Sequence, residues 1–97
     1  MKIEPNETQL TGKWLLSEGR VVADVICQRI EDLVRSHLKE VGRDASGWDV
    51  LYRDPIDGRL WELVYPKSEL QGGGPPELHC LTMDEAKRKY GNEVTDV

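Results

Sequence analysis

The sequence has little of what most catalytic or metal sites need. It contains two cysteines, Cys27 and Cys80, and two histidines, His37 and His79. Two cysteines are too few for a disulfide scaffold, and both are expected to be small, buried, reduced side chains. No C-x-x-C or H-E-x-x-H spacing exists, and the neighbours His79 and Cys80 would point to opposite faces of a strand, so no metal site is expected. His37 is expected half-exposed on a helix. Ser17, Ser36, Ser46 and Ser68 lack the G-x-S-x-G elbow of a serine hydrolase. Carboxylates are plentiful, but polar strand faces and turns supply them by default, and acid–base work also requires a cleft that raises a pKa. The expectation is a chain with no enzymatic activity and no cofactor.

Other absences bound where it works and on what. No run of eighteen apolar residues is present, so no membrane span is expected. The opening MKIEPNETQL has no apolar h-region and carries Glu4 and Glu7, unlike a secretory signal. No lipidation box is visible. These features predict a cytoplasmic protein. Basic charge is in deficit, with 13 Lys and Arg against 18 Asp and Glu and a net charge of −5. Binding nucleic acid through phosphates needs clustered Lys and Arg, so a basic protein is the better partner.

The chain of 97 residues is expected to form one domain over 1–97, with an extended lead-in at 1–11 and a frayed tail at 92–97. A folded chain of 11.1 kDa buries about two-thirds of the surface it exposes unfolded, enough for one modest core. Lys13 to Ser17 reads as a short strand, Glu18-Gly19 as a turn and Arg20 to Val22 as a short return strand or an approach to a helix. From Asp24 to Val41, the apolar residues Val25, Ile26, Ile30, Leu33, Val34, Leu38 and Val41 follow one stripe of a 3.6-residue period. Asp24 would cap this amphipathic helix and Gly42 would stop it.

Residues 47–65 read as a hairpin in which Trp48, Val50 and Tyr52 alternate with Asp49, Leu51 and Arg53. The turn is Asp54-Pro55-Ile56-Asp57-Gly58 and the return strand Leu60 to Tyr65. Apolar residues on both faces predict cover on both sides. A loop from Lys67 to Pro76 precedes a strand from Glu77 to Leu81. The T-x-x-E box of Thr82 and Glu85 opens a short helix, Met83 to Tyr90, stopped by Gly91. The predicted fold is α+β: a mainly antiparallel sheet of four to five strands, one long amphipathic helix on one face and a short C-terminal helix.

Two features suggest a contact surface. Gly72-Gly73-Gly74 is followed by Pro75 and Pro76 and by a strand, which does not suit a phosphate loop; it suits a crossing loop or a backbone-exposing contact loop. Residues 49–85 carry three positive and eight negative side chains, the whole of the net negative excess. An acidic face there would attract and orient a basic protein. The expected partner-binding residues are Asp54, Asp57, Glu62, Glu69, Gly72, Gly73, Gly74 and Glu77. Of Trp14, Trp48 and Trp61, most are expected in the core, and one left exposed would suit an interface anchor.

The segment Ser46 to Thr82, SGWDVLYRDPIDGRLWELVYPKSELQGGGPPELHCLT, resembles the immunity protein 27 family of bacterial polymorphic-toxin systems. The preceding TGKWLLSEGRVVADVICQRIEDLV is similar to that family's opening strand and helix. The resemblance implies a small α+β cytoplasmic antidote that binds a cognate toxin protein domain; a nuclease is the expected kind. It carries over no contact residues. The alternative is a non-enzymatic adaptor or subunit of a larger cytoplasmic assembly.

Overall fold

A computed structural model of the chain describes residues 3–66 and 74–91. The elements run β1 (Gln9–Thr11), β2 (Trp14–Ser17), β3 (Arg20–Ala23), α1 (Val25–Ser36), β4 (Lys39–Arg43), β5 (Val50–Arg53), β6 (Leu60–Val64), β7 (Glu77–Leu81) and α2 (Met83–Tyr90). Strands β4 to β7 form a meander, and β1 adds to its β7 edge, giving an antiparallel sheet in the order β1-β7-β6-β5-β4. The fold is the expected α+β arrangement. Strands β2 and β3 stand apart as a two-stranded ribbon.

Pairing register decides which side chains share a face. Tyr52 lies opposite Trp61, and Trp61 opposite Cys80; Val50 lies opposite Leu63, and Leu63 opposite Leu78. These residues, with Leu10 of β1, meet Ile30 and Leu33 of α1 in the larger core. The alternate positions Leu51 and Leu60 meet Ala86 and Tyr90 of α2 in a smaller one. The sheet is therefore covered on both faces, as the doubly apolar strands require.

Helix α1 starts where the sequence places it. The Asp24 carboxylate accepts from the Cys27 amide at 2.9 Å. It ends earlier than the apolar stripe suggests, at Ser36 with His37 as its cap. The amides of His37 and Leu38 both donate to the Leu33 carbonyl, at 3.0 and 2.7 Å, which closes the last turn. Leu38 still enters the larger core, but Lys39–Arg43 pairs with β5 as a strand. The helical period runs on through Leu38 and Val41 by coincidence of spacing, and pairing with β5 overrides it. Helix α2 has the full capping box: Glu85 N–H donates to the Thr82 hydroxyl, and Thr82 N–H donates to the Glu85 carboxylate.

Other expectations need correction. Of the three tryptophans only Trp61 is in the core, whereas Trp14 is 37% and Trp48 66% exposed. Trp48 sits in a loop tied by the Asp44 carboxylate, which accepts from the Gly47 and Asp49 amides, and this turns the indole away from the sheet. His37 is well covered rather than half-exposed, because its ring reaches the Asp54 carboxylate. Cys27 is buried, but Cys80 is only half-buried; both are free thiols. The lead-in is anchored by Arg59, whose guanidinium donates to the carbonyls of Glu7 and Glu4 at 2.6 and 3.1 Å. The expected tail at 92–97 lies outside the described residues.

Candidate functional site

The acidic residues singled out in the sequence do not come together as a free surface. Asp54 is 1% exposed. Its carboxylate accepts from the Ile56 amide at 2.9 Å and lies 3.1 Å from His37 Nε2, so it organises the β5–β6 turn. Asp57, in the same turn, accepts from the Arg59 amide and from Arg59 Nε. Burial pushes its carboxyl pKa up, but the bonds from Arg59 outweigh that and hold it below the usual value. Glu69, Gly72 and Gly73 lie outside the described residues.

Glu62 is also buried, beneath α2. It accepts from Tyr90 Oη at 2.6 Å, lies 2.7 Å from His79 Nε2 and pairs with Lys89 Nζ at 2.6 Å. Burial pushes its pKa up, yet the bonds from His79, Lys89 and Tyr90 overcome this and bring it down to about 2. The bond to Glu62, with a second to Glu77, raises His79. Lys89 also pairs with Asp49 at 2.7 Å. Most of the acidic excess in 49–85 is thus held by internal cations and donors. No group of three or more metal-ligating side chains occurs among the described residues. Burial raises the pKa values of both thiols, so neither is activated as a nucleophile.

Exposed apolar surface gathers at the opposite end of α1. Leu15, Leu16, Val21 and Val22 on the ribbon are large and exposed, as is Val25 in the first turn of α1. Beside the ribbon opens a cleft of about 460 Å³. Its apolar walls are Trp14, Pro66, Pro75 and Pro76, and Lys13 and Glu77 stand on its margin. Trp14 and Pro76 also wall a second, smaller hollow of about 200 Å³ that reaches Tyr65, Ile30 and Gly74. The strand leaving β1 is pinned there: Gly12 N–H donates to the Pro76 carbonyl at 2.9 Å. Gly74 adopts φ +73°, which explains why a glycine directly precedes the two prolines.

The sequence profile of immunity protein 27 matches residues 16–82, more than half of the chain. The chain belongs to the immunity protein 27 family. The matched stretch runs from β2 to the cap of α2, so it includes most of the ribbon, α1 and the strand pair that flanks the glycine loop. No curated protein and no solved structure matches the chain. Family membership fits a non-enzymatic role, and among the described residues no helix is long and apolar enough to cross a membrane.

In this immunity protein two of the expected contact residues line neighbouring hollows that share Trp14 and Pro76. Glu77 borders the larger cleft and Gly74 the smaller. Sequence reasoning missed Trp14, Lys13, Pro66, Pro75 and Pro76 as a group. The prolines framing the glycine loop were the available signal, since prolines at a loop's two roots fix where its chain enters and leaves. Nothing local tied Trp14 to them.

Proposed function

We propose that this immunity protein neutralises a cognate secreted toxin domain in the cytoplasm by direct, stoichiometric binding, and that the Trp14–proline cleft carries the contact. The observation behind this reading is an open, mainly apolar cleft beside an exposed aromatic ring, with one cation and one anion at its margin. Partly exposed tryptophans next to a fillable hollow are the usual anchors of protein interfaces, and marginal charges set orientation. The contact extends over Gly74 and Glu77 into the glycine loop, with Glu69, Gly72 and Gly73. Asp54, Asp57 and Glu62 support it from within the fold. The net charge of −5 favours a basic partner, such as a nuclease domain.

The test is growth rescue followed by co-purification. The C-terminal toxin domain of the adjacent large gene is expressed with this chain or with Trp14→Ala. Rescue by the wild-type chain in a defined complex, with binding weakened by Trp14→Ala, is the expected result. Killing despite a well-expressed wild-type chain would remove that pairing. Rescue with undiminished binding by Trp14→Ala would move the contact off the cleft.

A further inference from the structure

The ribbon β2–β3 is the one part of the described sheet structure without a layer over it. Its strands pair only with each other, and all eight residues are exposed. A lone two-stranded ribbon is marginal in water; three or more strands are needed for independent stability. The β3 edge has no proline and no bulge, and its one charge, Arg20, stands at its end.

The backbone direction along β3 is fixed by one bond. Asp24 N–H donates to the Lys13 carbonyl at 3.0 Å, so the peptide groups of Asp24, Val22 and Arg20 turn toward β2. Those of Val21 and Ala23 turn outward and are free to pair. Antiparallel pairing sets outward-turned residues opposite each other. A two-fold axis through Val22 does this: Val21 faces Ala23 of the second copy, Val22 faces Val22, and Arg20 faces Asp24. Arg20 has no carboxylate partner among the described residues of its own chain, and Asp24, whose carboxylate caps α1 and is bonded by backbone amides, pairs with no cationic side chain there.

We propose that two copies of this chain associate through their β3 edges, forming a four-stranded sheet β2-β3-β3-β2. Two Arg20–Asp24 pairs close the ends of the seam. Leu15 and Val22 share one face of each ribbon with Arg20, and Leu16 and Val21 share the other. The paired ribbons therefore carry a continuous apolar strip on each side. Of the ribbon only Trp14 lines the Trp14–proline cleft, and no residue of β3 does. The association thus does not depend on the toxin reading.

Sedimentation of the full chain tests it. The wild-type chain is expected to dimerise in the micromolar range. Arg20→Asp, which sets like charges opposite Asp24, is expected to weaken association at least about tenfold. Asp24→Asn keeps the helix cap and removes the charge, and is expected to weaken it less. Register is read by cysteine scanning under mild oxidant. Val22→Cys lies on the axis in a close, non-hydrogen-bonded pair and is expected to give a disulfide-linked dimer. Val21→Cys points to the other face and is not. A wild-type chain that stays monomeric, or cross-links at Val21 and not at Val22, would overturn the proposal. So would an Arg20→Asp variant that associates unchanged, or a β3 edge that pairs only with a toxin.

Discussion

His79 stands between two carboxylates, with Nε2 2.7 Å from Glu62 Oε1 and Nδ1 3.0 Å from Glu77 Oε2. Both neighbours accept, so the ring donates twice only when protonated. Lys89 and Tyr90 reach Glu62 from α2 above. The arrangement couples the short helix to the sheet through one buried carboxylate, and it ties stability to pH from two sides.

The first prediction is that pH profile. Glu62 falls from 4.5 to about 2 in the folded chain, so its contribution is present above 4.5 and is lost as pH falls toward 2. Glu7, held at about 2 chiefly by the Arg29 guanidinium, acts in the same window. His79 is raised above 6.5, mainly by Glu62, so its contribution is complete below 6.5 and is lost as pH climbs through the folded value. Urea midpoints should peak between about 4.5 and 6.5. His79→Gln should flatten the alkaline decline and leave the acid limb. An alkaline decline unchanged in His79→Gln would assign it to another group.

Tyr90→Phe isolates the bond from α2. The phenol donates to a buried, charged acceptor, and its own ionisation is pushed far up by burial and by Glu62. Hydrogen bonds to charged groups contribute about 1.5–3 kcal/mol, so a loss of that size is expected in urea unfolding. Glu62→Ala should cost more, because it removes the Tyr90 acceptor and also takes one carboxylate each from His79 and Lys89, which keep Glu77 and Asp49. A Tyr90→Phe protein as stable as wild type would mean that α2 is held by Ala86 and the apolar contacts alone.

Asp54→Ala separates a turn residue from a contact residue. Asp54 caps the Ile56 amide and meets His37, joining the end of α1 to the β5–β6 turn. Removing it takes the acceptor from the part-buried Ile56 amide and the partner from the covered His37 ring, and should cost about 1–3 kcal/mol. Toxin affinity measured well below the melting transition should stay as it was. A large loss of affinity in a protein that remains folded would return Asp54 to the contact surface.

These residues mark where sequence reading reaches and where it stops. The hairpin of β5 and β6 was legible because alternation and the Asp-Pro-x-Asp-Gly turn are local signals, and the capping box of α2 was legible for the same reason. The pairing of β1 with β7 was not, since Leu10 and Leu78 carry no mark of each other. Charge was legible as a count, but Asp54, Asp57 and Glu62 show that a carboxylate's availability depends on partners far along the chain. Trp14, Trp48 and Trp61 look alike in sequence. Only the loop that turns Trp48 outward and the ribbon that holds Trp14 clear of the sheet distinguish them.

Gly12→Ala tests the geometry that builds the cleft. A Cβ at Gly12 would lie 2.5 Å from Cys27 Sγ and 2.8 Å from the Pro76 carbonyl oxygen. Neither neighbour can give way freely: Cys27 is buried in the first turn of α1, and the Pro76 carbonyl accepts the Gly12 amide. The methyl must push the Pro76 strand away from β1, and overpacking of this kind costs about 1–3 kcal/mol. Because Pro76 is also a wall of the cleft, the same shift should weaken toxin binding. Adding Cys27→Ala should recover only part of the stability, since it removes one clash and leaves the backbone one. Gly19→Ala is the control. It meets nothing within 4 Å but sits at φ +76°, so it should cost about 1 kcal/mol of local strain and leave binding untouched. Equal binding by the Gly12→Ala and Gly19→Ala proteins would separate the Pro76 wall from the toxin contact.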